Sequence, residues 1–253
     1  KPLSLLSVVS NNDEAEVNLL RARNKLDAFV RQAAAAEVRL NALSTIDHNP
    51  ASGIIRTSRE LMADIIVMDW PPRAGIFDRF FGDHLGSILQ TVDKTVIVGH
   101  FEQPLVRHQR VVCAAPAHAE FEKGFEVWVT KLTKLAQELS VPLVVHCGAE
   151  TEQAIRRVVD RIRSSAQVTY SMFTAWEDFL VLARSVKETD LFVLISARKG
   201  SASYIAELDA LPTKLEKYFA ANDRVVVYPQ QFSDGPGIDD FSDFSAEPLH
   251  KGI

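Results

Sequence analysis

The chain has 253 residues, 47% of them apolar and 24% charged, with a formal net charge of −5. That balance suits a soluble globular protein of one large domain or two small ones, and the charge argues against a general nucleic-acid surface. Two cysteines exclude a disulfide scaffold; no apolar run approaches the roughly 20 residues that span a bilayer, and no signal peptide is visible.

Residues 1–9 (KPLSLLSVV) read as a strand. Asn11, Asn12 and Asp13 are capping residues, and a long helix runs from them to about residue 36. Residues 37–45 alternate and read as a second strand. Next, Asn49 is a good N-cap, and Pro50 stands at the first helical position, where its missing N–H costs nothing. Ile54, Ile55, Ser58 and Leu61 or Met62 recur at helical spacing, so they mark the apolar face of this helix. Asp64 opens the run Ile65-Ile66-Val67-Met68. An unbroken run of this kind predicts a parallel strand covered on both faces. Its carboxyl end, and the loop from Trp70 to Gly75, is where a ligand would sit. A helix over 77–92 and a strand over 95–99 follow.

A polar connector, 101–108, leads into a second series. Strands are predicted over 110–115, 141–147, 166–173, 190–196 and 224–228. Helices are predicted over 124–139, 151–163, 175–186 and 208–219, the last broken near Pro212. Phe125, Trp128, Val129, Leu132, Leu135 and Leu139 form one face of the helix after residue 124. The basic cluster Arg156, Arg157, Arg161 and Arg163 reads as a solvated helix face. Residues 230–253 are polar and acidic, without periodicity, and read as a tail.

The two series repeat each other. Asp64-Ile-Ile-Val-Met corresponds to Asp190-Leu-Phe-Val-Leu, and Thr95-Val-Ile-Val to Arg224-Val-Val-Val. Residues 1–107 and 108–229 are therefore two modules of alternating strand and helix, that is, two doubly wound parallel α/β sheets. The first lacks the leading strand and helix that the second begins with. In the order 3-2-1-4-5 that strand is the central one. Its absence predicts that the chain was cut from a longer protein. It also predicts that strands two and four of the first module re-pair directly, or that a second copy donates the missing strand.

No HExxH, CxxC or GxSxG occurs, and the histidines are scattered singly. Asp47-His48 and Asp83-His84 are adjacent pairs, whose side chains point different ways on a helix. No catalytic residue and no metal site is assigned. The remaining lead is a pair of loops following corresponding strands. Asp69, Gly75, Gly82, Gly86 and Ser87 follow the strand of the first module. Arg198, Lys199, Gly200 and Ser201 follow the matching strand of the second. Backbone N–H groups in such loops, with two cations in the second, suit an anion.

The run NPASGIIRTSRELMADIIVMDW resembles the central signature of universal stress protein domains, and TVIVGH stands at the family's closing strand. The tandem arrangement, with FEKGFEVW and WEDFLVLARSVKETDLFVLISARKGSASYIAELDALP in the second module, resembles the cytosolic region after the membrane domain of bacterial cation:proton (sodium/proton) antiporters. The resemblance spans about residues 1–230. It implies a flavodoxin-like, universal-stress fold and a non-enzymatic regulatory domain on the cytoplasmic side of the inner membrane. The partner is then the membrane transport domain of the same polypeptide, in a homodimer. ATP or AMP is the cofactor class that the resemblance allows, and a free-standing ATP/AMP-binding stress protein is the alternative. The departures count against nucleotide. The second module has Cys113-Ala114-Ala115-Pro116 where an aspartate closes the first strand of nucleotide-binding members. Pro72 replaces the first glycine of the phosphate loop, and Asp83 its Ser/Thr.

Overall fold

The computed structural model describes residues 2–70 and 77–231, with nine strands and seven helices among them. In the first half these are β1 (Leu3–Ser10), α1 (Ala15–Ala35), β2 (Leu40–Asp47), α2 (Pro50–Glu60), β3 (Ile65–Asp69), α3 (Phe77–Thr91) and β4 (Thr95–His100). In the second they are β5 (Arg110–Ala114), α4 (Phe125–Leu139), β6 (Leu143–Cys147), α5 (Ala149–Arg161), β7 (Val168–Met172), α6 (Phe179–Ser185), β8 (Asp190–Ile195), α7 (Leu211–Tyr218) and β9 (Arg224–Tyr228). This is the α/β alternation that the hydrophobic pattern predicts.

The strands form two sheets. One contains only β1 and β2, paired in parallel. The other has seven strands in the order β3-β4-β9-β8-β5-β6-β7. Within it the second half keeps the order 3-2-1-4-5, all parallel. The two halves meet where β4 pairs antiparallel with β9, from Val96 opposite Tyr228 to His100 opposite Arg224. One sheet therefore runs from the second half into the first, instead of two separate sheets packing as a pseudo-dimer.

The expected direct re-pairing of the first half's second and fourth strands does not occur. β1 pairs with β2, β3 pairs with β4, and β1 does not join β3. The helices explain how the sheet stays split. Arg23 of α1 donates to Ser44 Oγ, while Arg56 of α2 donates to Thr45 Oγ1. Neighbouring strand residues point to opposite faces, so α1 and α2 cover opposite faces of the β1–β2 pair. Helix α2 also reaches β3, since Ala51 belongs to the same buried cluster as Ile66 and Trp70. It packs against β1, β2 and α3.

Asn49 caps α2 by accepting from the Ser52 N–H at 2.9 Å, as its sequence predicts. The predicted apolar face holds in part: Ile54 and Ile55 pack against the core cluster. The buried residues are Ala51, Gly53 and Thr57, whereas Leu61 and Met62 are exposed. The cause is close approach to β1: a Cβ on Gly53 would lie 2.5 Å from Val8 Cγ1. Small side chains face the sheet because larger ones do not fit. β3 is also corrected. Ile66 is buried, but Val67 is 69% exposed, so this strand is covered on one face only. Pro212 does not break a helix. It stands in the first turn of α7, where no N–H is needed, after a 3-10 turn over Ala206–Ala210. The predicted helix over 175–186 is a 3-10 turn, Trp176–Asp178, followed by α6.

Two apolar clusters line the seven-stranded sheet. One joins Ile66, Ile88, Val96 and Val98 of the first half to Phe179, Phe192, Leu211 and Phe219 of the second. The other, on the opposite face, gathers β5, β6, β8 and β9 under α4 and α5, with Ile97 against its edge. The halves are locked further by Trp70, whose Nε1–H donates to Glu216 at 3.3 Å and whose ring lies 5.0 Å from the Arg224 guanidinium. No described helix is long and apolar enough to cross a membrane.

Candidate functional site

In an open parallel sheet, ligands bind beyond the carboxyl ends of the strands, where the chain order reverses. In the second half that point lies between β5 and β8, which are neighbours. The loops after these strands, 115–124 and 196–203, border it.

The chain fills this crevice itself. The Glu122 carboxylate is buried at 8% exposure and accepts from the Ser203 backbone N–H at 3.0 Å and from Ser203 Oγ at 2.6 Å. The Glu122 side chain thus takes up one backbone N–H and one hydroxyl of the loop after β8. The loop makes a tight turn. Gly200, at φ +87°, takes a left-handed conformation that side chains resist, and the Ser201 N–H donates back to the Arg198 carbonyl at 3.0 Å. The two cations are committed elsewhere. Lys199 lies 3.3 Å from Asp209 at the surface. The Arg198 guanidinium donates to the carbonyls of Leu89, Val92 and Lys94 at and beyond the end of α3. It satisfies carbonyls that a helix leaves open at its C-terminus, and it ties the second half to the first. Burial lowers the Arg198 pKa, with Asp93 and Glu122 opposing. Arg198, Lys199, Gly200 and Ser201 therefore share one loop, as expected, but they do not converge on a free site. Ser201 Oγ is buried without a hydrogen-bond partner among the described residues.

β5 ends in fully buried Ala114 and Ala115, with no acid to hold a ribose. Cys113 and Cys147 are free and buried. Burial pushes the Cys113 thiol well up, and burial with Glu152 and Glu120 nearby takes Cys147 to about 12. Neither is a thiolate at neutral pH, so neither is a nucleophile.

The first half offers less. Asp69 ends β3 and is exposed. Gly75 lies outside the described residues. Gly82, Gly86 and Ser87 do not open a helix: they lie inside α3 (Phe77–Thr91). Only the first four N–H groups of a helix are unpaired, so the backbone N–H groups of these three serve the helix ladder and are not available to a phosphate. The reversal point of this half would lie beside β3, on the edge away from β4.

Two arrangements escape a reading of the sequence. His118, Glu120 and Glu150 bring ligand atoms within 4.8 Å of one another. Glu120 already accepts from Thr151 Oγ1 at 2.7 Å, and His118 and Glu150 are exposed. These residues meet only because β5 and β6 are neighbours, which no local motif reveals. The second is a buried tie. His108 Nδ1 lies 2.9 Å from the Leu105 carbonyl, and its Nε2 lies 3.1 Å from Asp223 Oδ2 without the alignment of a hydrogen bond. Asp223 also accepts from the Glu102 N–H at 2.7 Å. This pair fastens the connector between the halves to the start of β9.

Residues 2–100 match the model of the universal stress protein family (Usp). No curated protein matches the sequence. Solved structures share the fold. A putative universal stress protein from Pseudomonas aeruginosa UCBPP-PA14 is 12% identical, with a TM-score of 0.60, over 90% of this chain and 83% of that one. A universal stress protein from Archaeoglobus fulgidus DSM 4304 is 13% identical, with a TM-score of 0.56, over 93% and 88%. The cytoplasmic domain of a prokaryotic cation chloride cotransporter is 11% identical, with a TM-score of 0.53, over 91% and 86%. At these identities the likeness establishes the universal-stress α/β fold.

Proposed function

We propose that the chain is a non-catalytic regulatory domain on the cytoplasmic side of a cation transporter, a sodium/proton antiporter by the resemblance of its tandem modules. The observation that carries the non-catalytic reading is Glu122 seated on Ser203. A buried carboxylate there repels a phosphate and already uses the donors that would hold it. Two buried, protonated thiols support the same reading. The likeness to a cotransporter's cytoplasmic domain supports the transporter context. The domain would act by transmitting a change in the packing of its halves to the transport domain, which requires a differential interaction in two states.

The test is cation-driven proton exchange in membrane vesicles, with the full polypeptide and with residues 1–253 removed. A shift of about threefold or more in the cation or pH dependence is expected; an unchanged profile overturns the regulatory reading. The second reading, an ATP- or AMP-binding stress protein, is favoured by the family match over residues 2–100. Calorimetry with ATP and with AMP addresses it. A flat trace at millimolar nucleotide is expected and removes the second reading, whereas heat at micromolar nucleotide would support it.

A further inference from the structure

Glu120 lies in the 3-10 turn Ala119–Phe121 after β5, and Glu150 in the first turn of α5 after β6. With His118, which precedes that turn, each brings a ligand atom to within 4.8 Å of the others. The turn is held at both ends, since Ala119 is fully buried and Glu122 is bound to Ser203. It packs against α4 and α5. A second contact aims Glu120: the buried Thr151 hydroxyl donates to its Oε2 at 2.7 Å, which leaves Oε1 for another partner. The His118 ring stacks on Phe121, with centroids 5.9 Å apart. The charge of the two carboxylates is uncompensated. Arg156 and Arg161 of α5 pair instead with Glu152 at 2.7 Å and with Glu126 at 2.6 Å. Among the described residues, no lysine or arginine forms an ion pair with Glu120 or Glu150. Two carboxylates this close repel each other, and a cation between them removes the repulsion.

We propose that His118, Glu120 and Glu150 form a binding site for a divalent transition-metal ion of the zinc class, with one coordination position left to water or an anion. The donor set selects the ion. Imidazole is a ligand for zinc, whereas magnesium and calcium take oxygen ligands and gain nothing from His118. Ligands of a tetrahedral zinc ion at about 2.1 Å stand roughly 3.4 Å apart, so the three atoms close by about 1 Å on binding. His118 and Glu150 are exposed and turn to meet the ion, while Thr151 keeps Glu120 in place. Such an outer hydrogen bond fixes a ligating carboxylate before the metal arrives. The ion clips the loop after β5 to the start of α5, across the carboxyl ends of two paired strands. The site consists of this chain's own residues, so it stands whether or not the chain regulates transport.

Titration calorimetry on the full chain, with zinc chloride as the probe, tests this. One equivalent is expected to bind with a Kd of about 1 μM. His118→Asn and Glu150→Gln should each weaken binding by about tenfold or more. Asparagine tolerates the left-handed backbone at His118, φ 65°, and both side chains are exposed, so both variants keep the fold. Thr151→Val, which releases Glu120, should weaken binding by about tenfold. Cobalt in place of zinc should give d–d bands without a thiolate charge-transfer band, which separates this site from Cys147. No heat at about a hundredfold higher zinc overturns the proposal. So does binding that survives unchanged in either His118→Asn or Glu150→Gln, and so does a thiolate band in the cobalt spectrum.

Discussion

β3 and β8 are the same strand of two repeated modules, and their sequences are nearly interchangeable: Ile-Ile-Val-Met-Asp after Asp64, and Asp-Leu-Phe-Val-Leu-Ile. Yet all six residues of β8 are buried, and only Ile66 of β3 is. The helices after the second strand of each module differ in the same direction. Only Ala15 and Leu26 are buried among the 21 residues of α1, against four among the 13 of α5. An apolar strand advertises what it can bury. Whether it does so depends on which elements lie on either side.

This contrast can be broken or sharpened by mutation. The largest effect is expected at Phe192 of β8, fully buried and stacked 4.3 Å from Phe219. Phe192→Ala should cost about 3–5 kcal/mol in urea denaturation, whereas Val67→Ala in residues 1–253 should change stability by less than about 0.5 kcal/mol. Equal costs would erase the contrast. Next is Arg198→Met, which abandons three carbonyls at the junction of the halves. A loss of about 2–3 kcal/mol is expected, with the first half unfolding earlier than the second in exchange experiments. A fully cooperative loss would mean that Arg198 does not set the coupling.

Alkaline pH should act through the second half. Burial raises Tyr228 and Tyr170 to about 12, and Cys147 to about 12. For groups whose folded pKa exceeds the unfolded value, stability is complete below the unfolded value and is lost as pH rises through the folded one. Stability should therefore be flat below about pH 9 and fall towards pH 12. Ellman's reagent should label neither thiol at pH 8 in the native state and both in guanidinium; fast native labelling would contradict their burial. A modest effect is expected at the cap of α2 in the first half. Asn49→Ala should cost about 1 kcal/mol through the lost cap of α2, measured by urea denaturation.

Much of the candidate site was hidden from the sequence for a physical reason. Gly200 and Ser201 announce a turn locally, and the turn is there. That Arg198 is drawn off to carbonyls more than a hundred residues earlier in the chain is a long-range fact, as is the arrival of Glu122 at Ser203. Gly82 and Gly86 suggest the opening of a helix, but the stretch from Phe77 onward has helical periodicity and both lie inside α3. The helix takes their N–H groups.

What the amino-acid sequence determines by itself is local: the alternation of strand and helix, the cap at Asn49 with Pro50 after it, and the recurrence of the strand patterns in the two halves. These follow from periodicity and from contacts within a few residues. Only the tertiary structure decided that β4 and β9 join the halves into one sheet, that β1 and β3 stay apart across α2, and that a carboxylate and a guanidinium of the chain occupy the loop where an anion was expected. Each of those depends on which distant edges and side chains reach one another, and edge pairing leaves no periodic trace in the chain that makes it.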